Sequence, residues 1–254
     1  MPISTSTLFH FTGSLDDVFS ILSHEFHPHF SLEDYNVLSP KSRRYPSLVF
    51  AVPMVSFCDI PLSQILPHLA FYGEYGIGLR KEWATRHSIA PVLYTYRGSR
   101  LARYLYSLAV AINRIPKKER RAKTAQDYFY DLSCFVKPYE GGGYRKGRRI
   151  RKRRFYDERE WRYVPRLTSD FYRYGMTEKS FRDDINRAAA NAHLWRRHVI
   201  SFVPKDIKYI IVSSETEILD TINHIEAIKT RFPRDDVRTL TSRIVSASQI
   251  AEDF

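Results

Sequence analysis

Cysteine is scarce in this chain of 254 residues: Cys58 and Cys134 are the only two. That number excludes a disulfide framework and makes free thiols the expectation. No uncharged apolar run approaches the ~18 residues that a membrane span requires. The first residues, MPISTSTLFHFTG, lack a basic segment leading into an apolar one, so no secretory signal is expected. Together these absences predict a cytoplasmic protein with no membrane contact. The phosphate-binding patterns GxxxxGK[ST] and GxGxxG are missing, as is the GxSxG of a nucleophile elbow. His24, His27 and His29 are close in sequence, but without HExxH or a cysteine pair they read as surface histidines. No metal site is expected.

Aromatic residues and positive charge are abundant. With 17 Tyr, 16 Phe and a 43% hydrophobic share, the chain has the composition of a globular protein with an aromatic core. The net charge of +12 is concentrated in one run. Residues 145–154 (RKGRRIRKRR) carry eight of the basic side chains, Arg145, Lys146, Arg148, Arg149, Arg151, Lys152, Arg153 and Arg154. Preceded by Gly141, Gly142 and Gly143, the run reads as a flexible loop. Such a loop neutralises phosphates without reading sequence, or simply stays solvated.

Hydrophobic periodicity divides the rest into mixed elements. TLFHFT at 7–12 reads as a strand, with Leu8, His10 and Thr12 on one face and Phe9 and Phe11 on the other. Ser14 and Asp17 signal a helix start, with Leu15, Val18, Phe19 and Leu22 as its buried stripe. His10 then lies at a strand end facing a helix N-terminus, a favourable place for an anion. A turn over 39–47 leads to an apolar extended run over 48–57, interrupted by Pro53. A helix over 61–73 follows, with Pro67 placed to kink it. Tyr75–Leu79 is a strand whose glycines suggest close backbone approach, and a strand over 91–96 comes after a short helix holding Trp83. Helices are expected over 99–113 (Leu101, Leu105, Leu108 and Ile112 inward), 125–136, 178–195 (Phe181, Ile185, Ala188, Ala192 and Trp195 inward) and 215–231. Strands are expected over 198–203, 208–213 and 238–246. Strands cluster as often as they alternate with helices, which argues for an α+β fold in one domain, with a helical and basic-loop insertion over about 98–154.

Residues 155–167, FYDEREWRYVPRL, stand out. Side chains at i and i+2 of a strand share a face, so Glu158 and Glu160 are placed to enter one cleft beside the cationic run. Each candidate has an ordinary reading too: a hydrogen-bonded core histidine at His10, core tyrosines at Tyr72 and Tyr75, and a solvent-facing acid pair. Glu160 precedes Trp161 in a strand expected to be buried, so it needs a partner, which Arg162 or Arg166 could supply.

Several blocks carry a resemblance. LFHFTG near the start, PMVSFCDIPLS at 53–63, HLAFYGEYGIGLRKEWA at 68–84, EREWR at 158–162, FVPKDIKYIIV at 202–212 and the closing TSRIVSASQIAEDF look like the AbiGi family of abortive phage-resistance proteins. That family is described as the antitoxin partner of a toxin–antitoxin pair, which implies a cognate toxin as partner. The same ordered elements are more remotely similar to ADP-ribosyltransferase-like domains. This second resemblance implies NAD as substrate. His10 and Thr12 would bond the adenosine ribose, Tyr72 or Tyr75 would stack on nicotinamide, Glu160 would stabilise the ribosyl cation, and Glu158 would position the acceptor. The basic run would hold nucleic acid or a partner. A non-catalytic antitoxin using that run for binding alone is the alternative.

Overall fold

The computed structural model describes residues 4–39, 48–116, 120–145, 148–167 and 172–253. Its strands are β1 (Thr7–Thr12), β2 (His29–Asp34), β3 (Val49–Cys58), β4 (Tyr75–Arg80), β5 (Ala90–Pro91), β6 (Leu93–Thr95), β7 (Val136–Pro138), β8 (Glu140–Arg145), β9 (Arg148–Arg154), β10 (Glu160–Tyr163), β11 (Met176–Thr177), β12 (Ile207–Val212) and β13 (Ile244–Ser246). Its α-helices are α1 (Leu15–His24), α2 (Leu66–Tyr72), α3 (Lys81–Arg86), α4 (Arg100–Arg114), α5 (Arg120–Ser133), α6 (Glu178–Arg182), α7 (Asp184–Arg197), α8 (Ile218–Ile228), α9 (Arg234–Thr241) and α10 (Ala247–Asp253).

The central sheet runs β13-β12-β4-β1-β3-β10-β5, with β2 and β11 also pairing β3. It is mixed: β12 and β13 are parallel, and the other pairs in this sheet are antiparallel. Strand alternation sends neighbouring residues to opposite faces. Leu8, Ile77 and Ile210 join a core with Val18, Leu22, Trp83 and Ile225, whereas Phe9 and Ile211 join Ile65, Leu69 and Ile250 behind the sheet. Two further cores sit under the insertion (Tyr35, Met54, Leu105 and Cys134) and under α6–α7 (Phe30, Ala51, Phe181 and Leu194).

The sheet forks where β1 meets β3. β1 pairs β4 along its whole length, Thr7↔Arg80 to Thr12↔Tyr75, but touches β3 only at Phe9↔Cys58. β3 changes neighbours near Pro53, which cannot donate to a ladder. It pairs β2 from Val49 to Met54 and β10 from Val55 to Cys58. The candidate site lies in this fork. Gly76 and Gly78 of β4 allow its close approach to β1, because a Cβ at Gly76 would lie 2.9 Å from the His10 carbonyl oxygen.

Several expectations are corrected. The basic run is not a loop. Residues 140–145 and 148–154 form the antiparallel pair β8–β9, whose described register ends at Arg145↔Arg148; residues 146–147 and the side chains of Arg145, Arg148, Arg149, Arg151 and Lys152 lie outside the described residues. Pro67 sits in the first turn of α2, where a missing N–H costs nothing, and so does not kink it. The helix expected over 178–195 breaks at Asp183, which caps α7. This shifts its phase: Ala190 and Leu194 are buried, while Ile185 and Trp195 are exposed. Leu108 is exposed on α4. Residues 198–203 supply only the bridge Phe26↔Ile200, and the segment expected as a strand over 238–246 opens as the end of α9, which runs to Thr241, and becomes a strand only at β13. The turn expected over 39–47 lies, from residue 40 on, outside the described residues.

Candidate functional site

A cavity of about 200 Å³ opens at the fork, lined by His10, Ser56, Tyr72, Lys137, Glu158 and Glu160 among others. Two strands distant in sequence therefore bring His10 and Glu160 to one place. The link between them is Ser56 of β3. The His10 ring nitrogen Nδ1 meets the Ser56 carbonyl oxygen at 2.8 Å, and the Ser56 hydroxyl donates to Glu160 Oε1 at 2.8 Å.

Glu160 is buried and ionised among cations. Arg162 donates to it through Nε at 2.5 Å and Nη2 at 3.2 Å. Lys137 Nζ donates to its second oxygen. Tyr94 accepts its backbone N–H at 2.9 Å. Burial alone would raise the Glu160 carboxyl, but the Arg162 guanidinium and the Lys137 ammonium outweigh it and hold the group well below the usual carboxylate range. Burial likewise opposes the charge on Lys137, yet Glu160 and Glu158 raise it well above the usual lysine value.

Glu158 does not lie on the same strand. It ends a 3₁₀ turn, Phe155–Glu158, and Arg159 takes left-handed backbone angles (φ 46°) before β10 begins. The same-face pair on β10 is Glu160 with Arg162. Glu158 still reaches the cavity, because Lys137 Nζ donates to its Oε2 at 2.9 Å while also donating to Glu160. Tyr72 donates its hydroxyl to Glu158 Oε1, and Arg153 Nε lies 3.3 Å from the same oxygen. The Arg153 guanidinium covers the Phe71 ring at 3.8 Å from its centroid. The network extends to Glu33, whose Oε2 lies 3.0 Å from Arg162 Nη2, and to the Cys134 carbonyl, which accepts from Arg162 Nη1 at 2.7 Å. Burial pushes the Tyr72 hydroxyl far above its ordinary value, with the Glu158 carboxylate adding to it, so Tyr72 is a donor. Burial lowers His10, against the opposing effect of the Ser56 carbonyl, so a neutral imidazole is favoured.

The remaining sequence candidates fall elsewhere. Tyr75 does not line this cavity; its hydroxyl donates to Glu217 at 2.8 Å. Thr12 donates to Asp17 Oδ2 at 2.7 Å and lines an adjoining hollow of about 570 Å³. Ser14 caps α1 by accepting from the Asp17 backbone N–H, so one donor of the helix start near His10 is already engaged. Arg154 pairs with Asp157 at 2.9 Å on the surface. Lys137, Ser56 and Tyr94 were not singled out by sequence. Lys137 is a lone cation between Val136 and Pro138, and reading 136–138 as a strand would have placed it apart from its apolar neighbours. Among the described residues no cluster of His, Cys, Asp or Glu is arranged to hold a metal ion, and no helix is long and apolar enough to cross a membrane.

Comparisons with known proteins agree with one another. A family model described as "Putative abortive phage resistance protein AbiGi, antitoxin" matches residues 24–213, a span that contains Tyr72, Lys137, Glu158 and Glu160 but not His10. The abortive phage resistance protein AbiGi of Lactococcus lactis subsp. cremoris is 26% identical over 254 aligned positions, covering 90% of this chain and 99% of that protein. No solved structure matches.

Proposed function

Because the chain belongs to the AbiGi family of abortive phage resistance proteins, we propose that it acts in phage defence by transferring ADP-ribose from NAD to a macromolecule, within a single ADP-ribosyltransferase-like domain carrying an insertion over about 98–154. The observation that supports this reading is the convergence of His10, Tyr72, Glu158 and Glu160 on one cavity. Ligand pockets commonly measure roughly 300–1,000 Å³. The inner cavity of about 200 Å³ therefore suits the nicotinamide-ribose end, with the rest of the dinucleotide in the hollow beyond His10.

In this reaction the bond between the nicotinamide nitrogen and the ribose C1′ breaks, and its electron pair leaves with nicotinamide. Glu160, held ionised, faces the positive charge that develops on the ribose, an electrostatic stabilisation. Tyr72, anchored by its hydrogen bond to Glu158, presents its ring to the flat cation. Glu158 accepts the proton that the acceptor hydroxyl or amine loses as it bonds to C1′. The family description also makes a cognate toxin the expected partner of this chain.

One observation favours a second reading, a non-catalytic antitoxin. Glu160 already accepts four hydrogen bonds, from Ser56, Lys137 and twice from Arg162. A carboxylate has about four lone-pair sites, so a ribose hydroxyl must displace one donor. In that reading the ionic network is structural and the β8–β9 hairpin binds a toxin or nucleic acid. A nicotinamide-release assay separates the two. The enzymatic reading expects release by the wild type and its loss in Glu160→Gln. Intact NAD with both proteins, together with toxin or nucleic-acid binding lost on shortening the hairpin, supports the antitoxin reading and removes the enzymatic one.

A further inference from the structure

The hollow beyond His10, about 570 Å³, shares His10, Ser31, Met54 and Ser56 with the inner cavity. Its outer wall is aromatic. Trp195 stacks on His27 at 3.7 Å between ring centroids, with 15° between planes. The indole stays 42% exposed, so part of this large apolar ring is uncovered at the mouth. Phe26 and Phe30 line the interior, and Ser20, Glu25 and Ser31 add polar atoms. No lysine or arginine is among the lining residues. That composition favours a flat, uncharged ring with donor groups over a phosphate.

Glu25 makes the case sharper. It terminates α1 at φ 72°, ψ −170°, a backbone region that is essentially glycine-only and costs on the order of 1–3 kcal/mol elsewhere. Its N–H donates to the Ile21 carbonyl at 2.8 Å, a task glycine would perform as well. What glycine would lack is the side chain: Glu25 is a lining residue of the hollow, and its carboxylate has a loose ion-pair contact with Arg231 at 3.7 Å. A strained non-glycine residue lining a cavity motivates a functional reading of its side chain.

We propose that this hollow binds a nucleobase carrying an exocyclic amino group, with the ring on Trp195 and the amine donating to Glu25. Adenine is the base that tests it. The inference deepens the proposed function by assigning the outer part of the groove, but the binding step requires neither Glu160 nor turnover. Titration calorimetry on the full chain with adenosine is the experiment. Adenosine binds the wild type and Glu160→Gln equally; Trp195→Leu weakens it about 10-fold or more, the effect of one lost base–aromatic stack; inosine, which lacks the amine, binds more weakly than adenosine. ADP binds no more tightly than adenosine. Glu25→Gly raises the melting temperature while weakening adenosine, a combination that a purely structural role for Glu25 does not produce. Absence of adenosine binding at millimolar concentration, or unchanged affinity in Trp195→Leu, overturns the inference. Adenosine binding by a wild type that leaves NAD intact overturns ribosyl transfer alone and leaves the base site standing.

Discussion

Arg162 is a centre of the buried charge balance near the cavity. It is fully buried and serves Glu160, Glu33 and the Cys134 carbonyl together. Removing one partner of a buried ion pair typically costs about 3–5 kcal/mol, because the other charge is left unpaired. Arg162→Met is therefore expected to lose about that much in urea denaturation at pH 7. Adding Glu160→Gln to it restores a substantial part, since the two changes are coupled. The pH dependence follows from the depressed Glu160. Its folded value lies below the ordinary 4.5, so its stabilising contribution is complete above about pH 4.5 and is lost as pH falls toward the folded value. Wild type should lose stability below pH 4.5 more steeply than Glu160→Gln, as read by denaturant midpoints from pH 7 to pH 3. His10 acts over a higher window. Its folded value is depressed below 6.5, so its contribution is present above that pH and declines as pH falls through it.

Helix α2 and strand β1 meet at Gly73, and that junction sets where Tyr72 enters the cavity. Gly73 has φ 132°, and a Cβ there would lie 2.0 Å from the Thr12 carbonyl oxygen. Gly73→Ala is expected to cost at least about 1–3 kcal/mol from backbone conformation alone, seen as a lowered melting temperature, and to move Tyr72 away from Glu158. At this scale local signals match the fold wherever they agree with packing. TLFHFT matches β1 residue for residue, Ser14 caps α1, and the glycines of YGIGL mark a close approach to β1. Local signals mislead where a break resets the helical phase, as at Asp183, or where paired strands form from sequence with few apolar residues. Residues 140–154 contain four glycines and eight of the basic side chains, so no hydrophobic alternation announces the β8–β9 hairpin. Its pairing is supplied by backbone hydrogen bonds and by Arg153, which docks on Phe71 and Glu158.

Across the whole molecule, the sequence of the β8–β9 segment carries eight basic side chains, and Arg153 of that segment reaches the cavity at Glu158. Replacing residues 143–150 with a two-residue turn should leave the central sheet folded by circular dichroism and reduce binding to a mixed-sequence RNA or DNA. The loss should be largest at low salt, because phosphate contacts release counterions. Equal binding by both proteins would remove the hairpin from any nucleic-acid role. From sequence alone came the mixed α and β composition, the first strand and its helix, the AbiGi resemblance, and Glu160 as a buried acid in need of a partner, Arg162 or Arg166. These are legible because propensity, capping and i,i+2 spacing act over a few residues. Only the tertiary structure joined His10 to Glu160 through Ser56, chose Tyr72 over Tyr75 for the cavity, brought Lys137 between two carboxylates and set Trp195 beside His27. Those contacts link segments from 21 residues apart upward, and which segments become neighbours is decided by the order of strands in the sheet and by the fork at β3, neither of which any local pattern encodes.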